Sequence, residues 1–118
     1  MTVTNVEGFL ATGVASGIKS NQELDLALIT TEDRKPVSAA GVFTSNKMTA
    51  APVLITREHL EATGGAASTV VLNSGNANAA TGNQGLIDAE RMCELTAQGL
   101  GCESNEVLVC STGWIGYP

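Results

Sequence analysis

Apolar residues recur along this chain at two spacings, every second position at first and every third or fourth later, and the change divides it into a strand-rich first part and a helical second part. Residues 8–15 mix apolar side chains with glycine and are predicted as a strand, followed by a turn-rich connection over 16–21. Leu24, Leu26 and Leu28 then alternate with Asp25, Ala27 and Ile29, the period of a strand with one strongly apolar face. The cluster Thr31-Glu-Asp-Arg-Lys-Pro36 predicts a solvated, hairpin-like turn. Residues 37–44 restart strand character, with Ala39, Ala40 and Gly41 small enough for another element to pack close. Pro52-Val-Leu-Ile55 is a short apolar run, and Thr56 is placed to N-cap a brief helix that runs through His59 and stops at Gly64-Gly65.

Residues 68–73 are β-branched and predict a strand that leads into Asn73-Ser-Gly-Asn-Ala-Asn-Ala-Ala80. Asparagine tolerates left-handed backbone and its amide bonds nearby main chain, so this stretch is either a wound turn network or a substrate-facing loop. Thr81-Gly-Asn-Gln84 fits a capping box, and Leu86, Ala89, Cys93, Thr96 or Ala97, and Leu100 fall on one face of a helix that Gly101 ends. Asp88, Arg91, Glu94 and Gln98 fall on the other face. Val107, Leu108 and Val109 are consecutive apolar positions, as in a strand covered on both sides. Strand, helix and strand make a crossover unit, which lays the two strands parallel and brings 73–80 near Ser111, Thr112 and Gly113. There the strand is expected to break into a polar corner, followed by Trp114, Ile115 and Tyr117, which are better placed packing on something outside this chain.

Composition narrows the function. The 118 residues suffice for a single domain over 1–118, and 43% hydrophobic content can furnish a core. A net charge of −6 and 3% aromatics argue against nucleic acid, which needs a basic surface and stacking platforms. No window reaches the length of a bilayer span, and the first residues lack the basic and apolar regions of a signal peptide, so no membrane partner and a cytoplasmic location are expected. Cys93, Cys102 and Cys110 have no CxxC spacing and read as buried free thiols, with no metal site and no cofactor implied. His59, the single histidine, lacks a partner motif and reads as a surface or half-buried residue rather than a base. No activated nucleophile is marked by GxSxG, HExxH or a phosphate-loop pattern. The Thr112 hydroxyl and the Gly113 N–H can both donate to an oxygen that turns negative during acyl transfer, although Ser-Thr-Gly is equally an ordinary turn.

Six stretches, Gly8-Phe9 with Gly17-Ile-Lys19, 25–29, 39–44, Ala50-Ala-Pro-Val53, Asn73-Ser-Gly-Asn-Ala-Asn-Ala79 and Ser111-Thr-Gly-Trp-Ile-Gly116, resemble the ornithine acetyltransferase family in the same order. The resemblance implies an α/β fold, part of a layered α/β sandwich of the N-terminal-nucleophile-like type. It implies a glutamate N-acetyltransferase that moves acetyl from N-acetylornithine to glutamate, after self-cleavage into α and β chains that assemble as an α2β2 heterotetramer. The β chain's N-terminal threonine would be the nucleophile, and this chain would be the N-terminal portion of the α chain, ending before the Ala-Thr cleavage junction. By the same resemblance, Thr112 and Gly113 match the oxyanion-hole motif, while the main substrate-binding residues lie downstream. The family commonly has cysteine where Ala80 stands and valine where Trp114 stands. Two other readings stay open: a self-processing aminopeptidase or amidase that releases acyl groups to water, and a non-catalytic small-molecule-binding module using the asparagine stretch.

Overall fold

A computed structural model describes residues 2–118. Six strands and two α-helices follow in the order β1 (Phe9–Val14), β2 (Leu26–Thr31), β3 (Val37–Ser38), α1 (Ala51–Thr63), β4 (Ala66–Ala67), β5 (Thr69–Asn76), α2 (Gly82–Leu100) and β6 (Val107–Trp114). The main sheet has the order β1-β2-β5-β6; β1 with β2 and β2 with β5 are antiparallel, and β5 with β6 is parallel. The parallel pair is the crossover expected from the sequence, and the α/β class is the one expected.

Both helices lie on one face of this sheet. Gly85, Ala89, Cys93 and Ala97, spaced four apart on α2, are all buried. A ridge of such small side chains lets the helix axis approach the strands closely. Ala51 and Ile55 of α1 join Val71, Val107 and Val109 in the same core. The Cys93 thiol is pushed up to about 12 by burial, with Glu90 and Glu94 adding to the shift, so it stays protonated. The other face carries Ala27, Ile29, Val70, Leu72, Leu108 and Cys110, which alternate with the core residues in register and are half-buried or exposed.

Several expectations need correction. Strand character over 37–44 survives only at Val37–Ser38, which pairs with β4 rather than continuing the main sheet; beyond it Val42 stands fully exposed, for want of a partner strand. The turn over 31–36 is therefore no hairpin, because β2 pairs with β1 and β5. Helix α1 is longer than expected and begins at Ala51 with Pro52 in its first turn, where a missing N–H costs nothing, so Thr56 lies inside it. Thr81 adjoins α2 but makes no side-chain cap, and its hydroxyl donates to Asn78 Oδ1 instead. All three cysteines are free, yet only Cys93 is buried, and His59 is buried rather than half-exposed.

Asp25 heads β2 and was expected only as the polar half of an alternation. It is 3% exposed, and its carboxylate accepts from the Lys19 N–H at 2.9 Å, the Ser16 hydroxyl at 2.7 Å and the Ser16 N–H at 2.7 Å. These donors, the Lys19 N–H foremost, hold its pKa well below the usual carboxylate range. Because folding favours the ionised form, the stabilisation is whole above the unfolded carboxyl's titration near pH 4 and is lost as pH falls through the lower folded value. Asp25→Asn is expected to lower the melting temperature at pH 7, with the gap to the parent narrowing as pH drops below about 4. A gap that stays constant down to pH 2 would show that the carboxylate's charge plays no part.

Candidate active-site edge

Strand β6 does not break at Thr112. It continues through Gly113 to Trp114, in register with Ser74, Gly75 and Asn76 of β5, so the expected corner is the end of a parallel ladder. The continuation depends on two glycines. Gly113 has φ +132°, and a Cβ built there would lie 2.3 Å from the carbonyl carbon of Gly75 and 2.6 Å from the Asn76 nitrogen. No side chain fits, and the two backbones touch instead.

Which way the β6 backbone points follows from its partners. Successive residues of a strand turn their N–H and C=O to opposite sides. The Trp114 carbonyl accepts from the Ala77 N–H at 2.9 Å, so Trp114, Thr112 and Cys110 turn toward β5. Val107, Val109 and Ser111 turn outward, along the sheet edge, whereas Gly113, at φ +132°, departs from the regular alternation. That edge is closed at its start: His59 Nδ1 lies 2.8 Å from the Val107 carbonyl, and Thr56 Oγ1 accepts from the Val109 N–H at 3.0 Å and donates to the Val109 carbonyl at 2.8 Å. A carbonyl only accepts, so His59 Nδ1 carries the proton of this bond, and Nε2 lies 3.9 Å from Glu90 Oε1. The outward backbone of Ser111 and the Thr112 hydroxyl have no protein partner among the described residues.

Thr112 lines a cleft of about 380 Å³ with Gly13, Leu24, Leu72, Ser74 and Cys110. Its side chain falls on the helix-free face, and Gly113 follows it beside Gly75, so the two sequence-predicted residues sit together at the end of the ladder. Ser111 falls on the helix side, opposite Asn73, and its Oγ is buried without a hydrogen-bond partner. No local signal marks that orphan hydroxyl. Burial pushes the Cys110 thiol up, so it is no ready nucleophile. His59 is committed to β6 several residues back along the strand.

The asparagine stretch is part strand and part turn network, and Asn73, Asn76 and Asn78 also line a cleft of about 500 Å³ with Ser111. Asn73, Ser74, Gly75 and Asn76 belong to β5 itself. Asn73 Nδ2 donates to the Asn76 carbonyl at 2.9 Å, Asn76 Nδ2 to the Tyr117 carbonyl at 3.1 Å and Asn78 Nδ2 to the Gly85 carbonyl at 2.8 Å. Asn76 Oδ1 accepts from the Asn78 N–H, and Asn78 Oδ1 from Thr81. Asn78 sits at φ +49°, a conformation that asparagine adopts more readily than most residues. These amides tie the end of β5, the start of α2 and the segment after β6 into one unit.

The profile of the ArgJ family matches residues 10–118. The arginine biosynthesis bifunctional protein ArgJ 1 of Clostridium acetobutylicum is 52% identical over 116 residues, 98% of this chain and 28% of the relative. The ArgJ protein of Geobacter sulfurreducens is 48% identical over 97% of this chain and 28% of its own length. This chain thus spans little more than a quarter of the curated relatives it matches. Among solved structures, the ArgJ protein of Bacillus halodurans superposes with a TM-score of 0.91 at 39% identity, over 99% of this chain and 59% of that one. The ornithine acetyltransferase of Mycobacterium tuberculosis, solved with ornithine, gives 0.86 at 47% identity, over 98% of this chain and 61% of that one.

The steric fit of the two glycines is open to test. Gly113→Ala is expected to destabilise the protein by at least about 1–3 kcal/mol, from the positive φ and the contact with Gly75 together. The denaturation midpoint of the full-length protein measures it, and an unchanged midpoint would mean that the strand end is not held by this contact.

Proposed function

The chain belongs to the ArgJ family, and from that premise we propose that it forms the N-terminal part of the α chain of a self-cleaving acetyltransferase. The full protein carries acetyl from N-acetylornithine to glutamate through an acetyl-threonine on the β chain, as an α2β2 assembly in the cytoplasm. This chain contributes the oxyanion hole, Thr112 and Gly113. The observation that carries this reading is the exposed Thr112 hydroxyl, without a protein partner, next to Gly113 at the end of a strand edge that His59 and Thr56 close further back.

The chemistry follows from those two donors. A threonine oxygen attacks the acetyl carbonyl, and the carbonyl π electrons move onto oxygen. The Gly113 N–H and the Thr112 O–H donate to that oxygen as its charge grows. The intermediate collapses, the C–N bond breaks, and ornithine leaves with a proton on its amine. The amine of glutamate then attacks the threonine ester, and the same two donors serve the second intermediate before N-acetylglutamate departs. No cofactor is required by either half. The relatives' lengths support two chains, since this chain covers 28% of a curated relative but 59% of a solved one, which makes the solved chain about half as long. The helix-free apolar face supports the sandwich reading, in which a second sheet covers Leu72, Leu108 and Ile29.

The full-length protein given N-acetylornithine and glutamate is expected to form N-acetylglutamate, while residues 1–118 alone are expected to form none. Acetate release with no transfer would instead identify an amidase. Thr112→Ala is expected to lower kcat by about a hundred- to thousandfold, the usual cost of one oxyanion donor. KM for N-acetylornithine should stay nearly constant, since the donor acts mainly on the transition state. An unchanged kcat would remove Thr112 from the mechanism.

A further inference from the structure

We propose that Thr56, seconded by His59, is a positioning residue for the oxyanion strand; the proposal rests on the acetyl-transfer reading above. Strand β6 is the last of its sheet, so one whole row of its backbone groups has no neighbouring strand. Helix α1 stands in for that strand. His59 and Thr56, three apart and hence on one helix face, meet Val107 and Val109, two apart and hence on one strand edge. The order is reversed, so α1 runs antiparallel to β6.

Thr56 makes the tighter of these clamps. One hydroxyl both accepts from and donates to the same residue, Val109, as the backbone of a neighbouring strand would. It is the last fixed point on the outer edge before the unpartnered backbone of Ser111 and the strand end at Thr112 and Gly113. The hydroxyl itself is held, because Ala51 and Ile55 anchor α1 in the core and the Ala51 N–H donates to the Asn78 carbonyl at 3.3 Å. From β5, the Gly75 contact sets how closely the strand end packs. From α1, the Thr56 hydroxyl sets where β6 lies along and across that ladder, and a donor moved by about 1 Å can lose on the order of a hundredfold in rate. Val at this position keeps the volume and loses both bonds, while the buried anchors of α1 remain.

Three variants of the full-length protein test this, with kcat expressed per folded enzyme. Thr56→Val is expected to lower kcat for acetyl transfer at least tenfold with KM for N-acetylornithine within about threefold. Thr56→Ser, which keeps the hydroxyl, is expected to restore kcat to within about threefold of the parent. Cys93→Ala opens a cavity on α2, away from the α1 clamp, and is expected to lower the melting temperature while leaving kcat in place. Unchanged turnover in Thr56→Val overturns the proposal, as does an equal loss in Cys93→Ala at equal loss of melting temperature. A parent protein that forms no N-acetylglutamate overturns the acetyl-transfer reading, and the positioning role with it; parent turnover with an unaffected Thr56→Val overturns the positioning role alone.

Discussion

Parallel strands cannot be joined by a tight turn, so the pairing of β5 with β6 requires a crossover, and α2 supplies it. Everything at the candidate site depends on that pairing. It sets Thr112 beside Ser74 and Gly113 beside Gly75, and it makes β6 an edge with one row of backbone groups facing outward. The small-residue ridge of α2 and the glycine pair at the strand ends are two forms of one solution, close approach bought with missing side chains. A larger residue at either place would separate layers that the site needs in contact.

Polar satisfaction is spread unevenly over this framework. Behind the site, the amides of Asn73, Asn76 and Asn78 are all used on backbone or on one another, and the Asp25 carboxylate takes three donors from one loop. Most groups of this kind in folded proteins are paired, because an unpaired buried one costs about 1–3 kcal/mol. Against that background one buried group stands out, the Ser111 hydroxyl, which has no partner and directly precedes the exposed Thr112 hydroxyl at the end of β6. Under the acetyl-transfer reading, donors held at the end of a rigid strand are what an oxyanion hole requires before substrate arrives.

How much of this the residues announced depends on whether the signal was periodic. The β5–α2–β6 unit was legible because α2 repeats its small residues every fourth position and Gly101 ends it in a left-handed cap. Helix α1 was misread because Pro52-Val-Leu-Ile55 is too short a run to separate strand from helix, although proline ahead of a run with helical residues was the available clue. Strand character over 37–44 was overstated because propensity cannot tell whether a partner strand exists. Local chemistry names Thr112 and Gly113 as donors but leaves an ordinary turn open, and only the family resemblance assigns them a role. Nothing local marked Asp25, Thr56 or Ser111, whose roles depend on residues distant in the chain or on none at all.

Under the acetyl-transfer reading, the clamp and the glycine pair separate two tasks of the site. Charge stabilisation needs donors fixed in advance, and the strand that would carry them is held by β5 on one side and α1 on the other. Shape is another matter. Trp114, next to Gly113, is 77% exposed and lines an open cleft of about 280 Å³ with Ile18, Gly75 and Tyr117. A wall so exposed takes its final form from whatever packs against it. Under the acetyl-transfer reading, substitutions at Trp114 would therefore bear on which acyl donors fit, whereas the backbone beside it would continue to govern how fast a fitted one reacts.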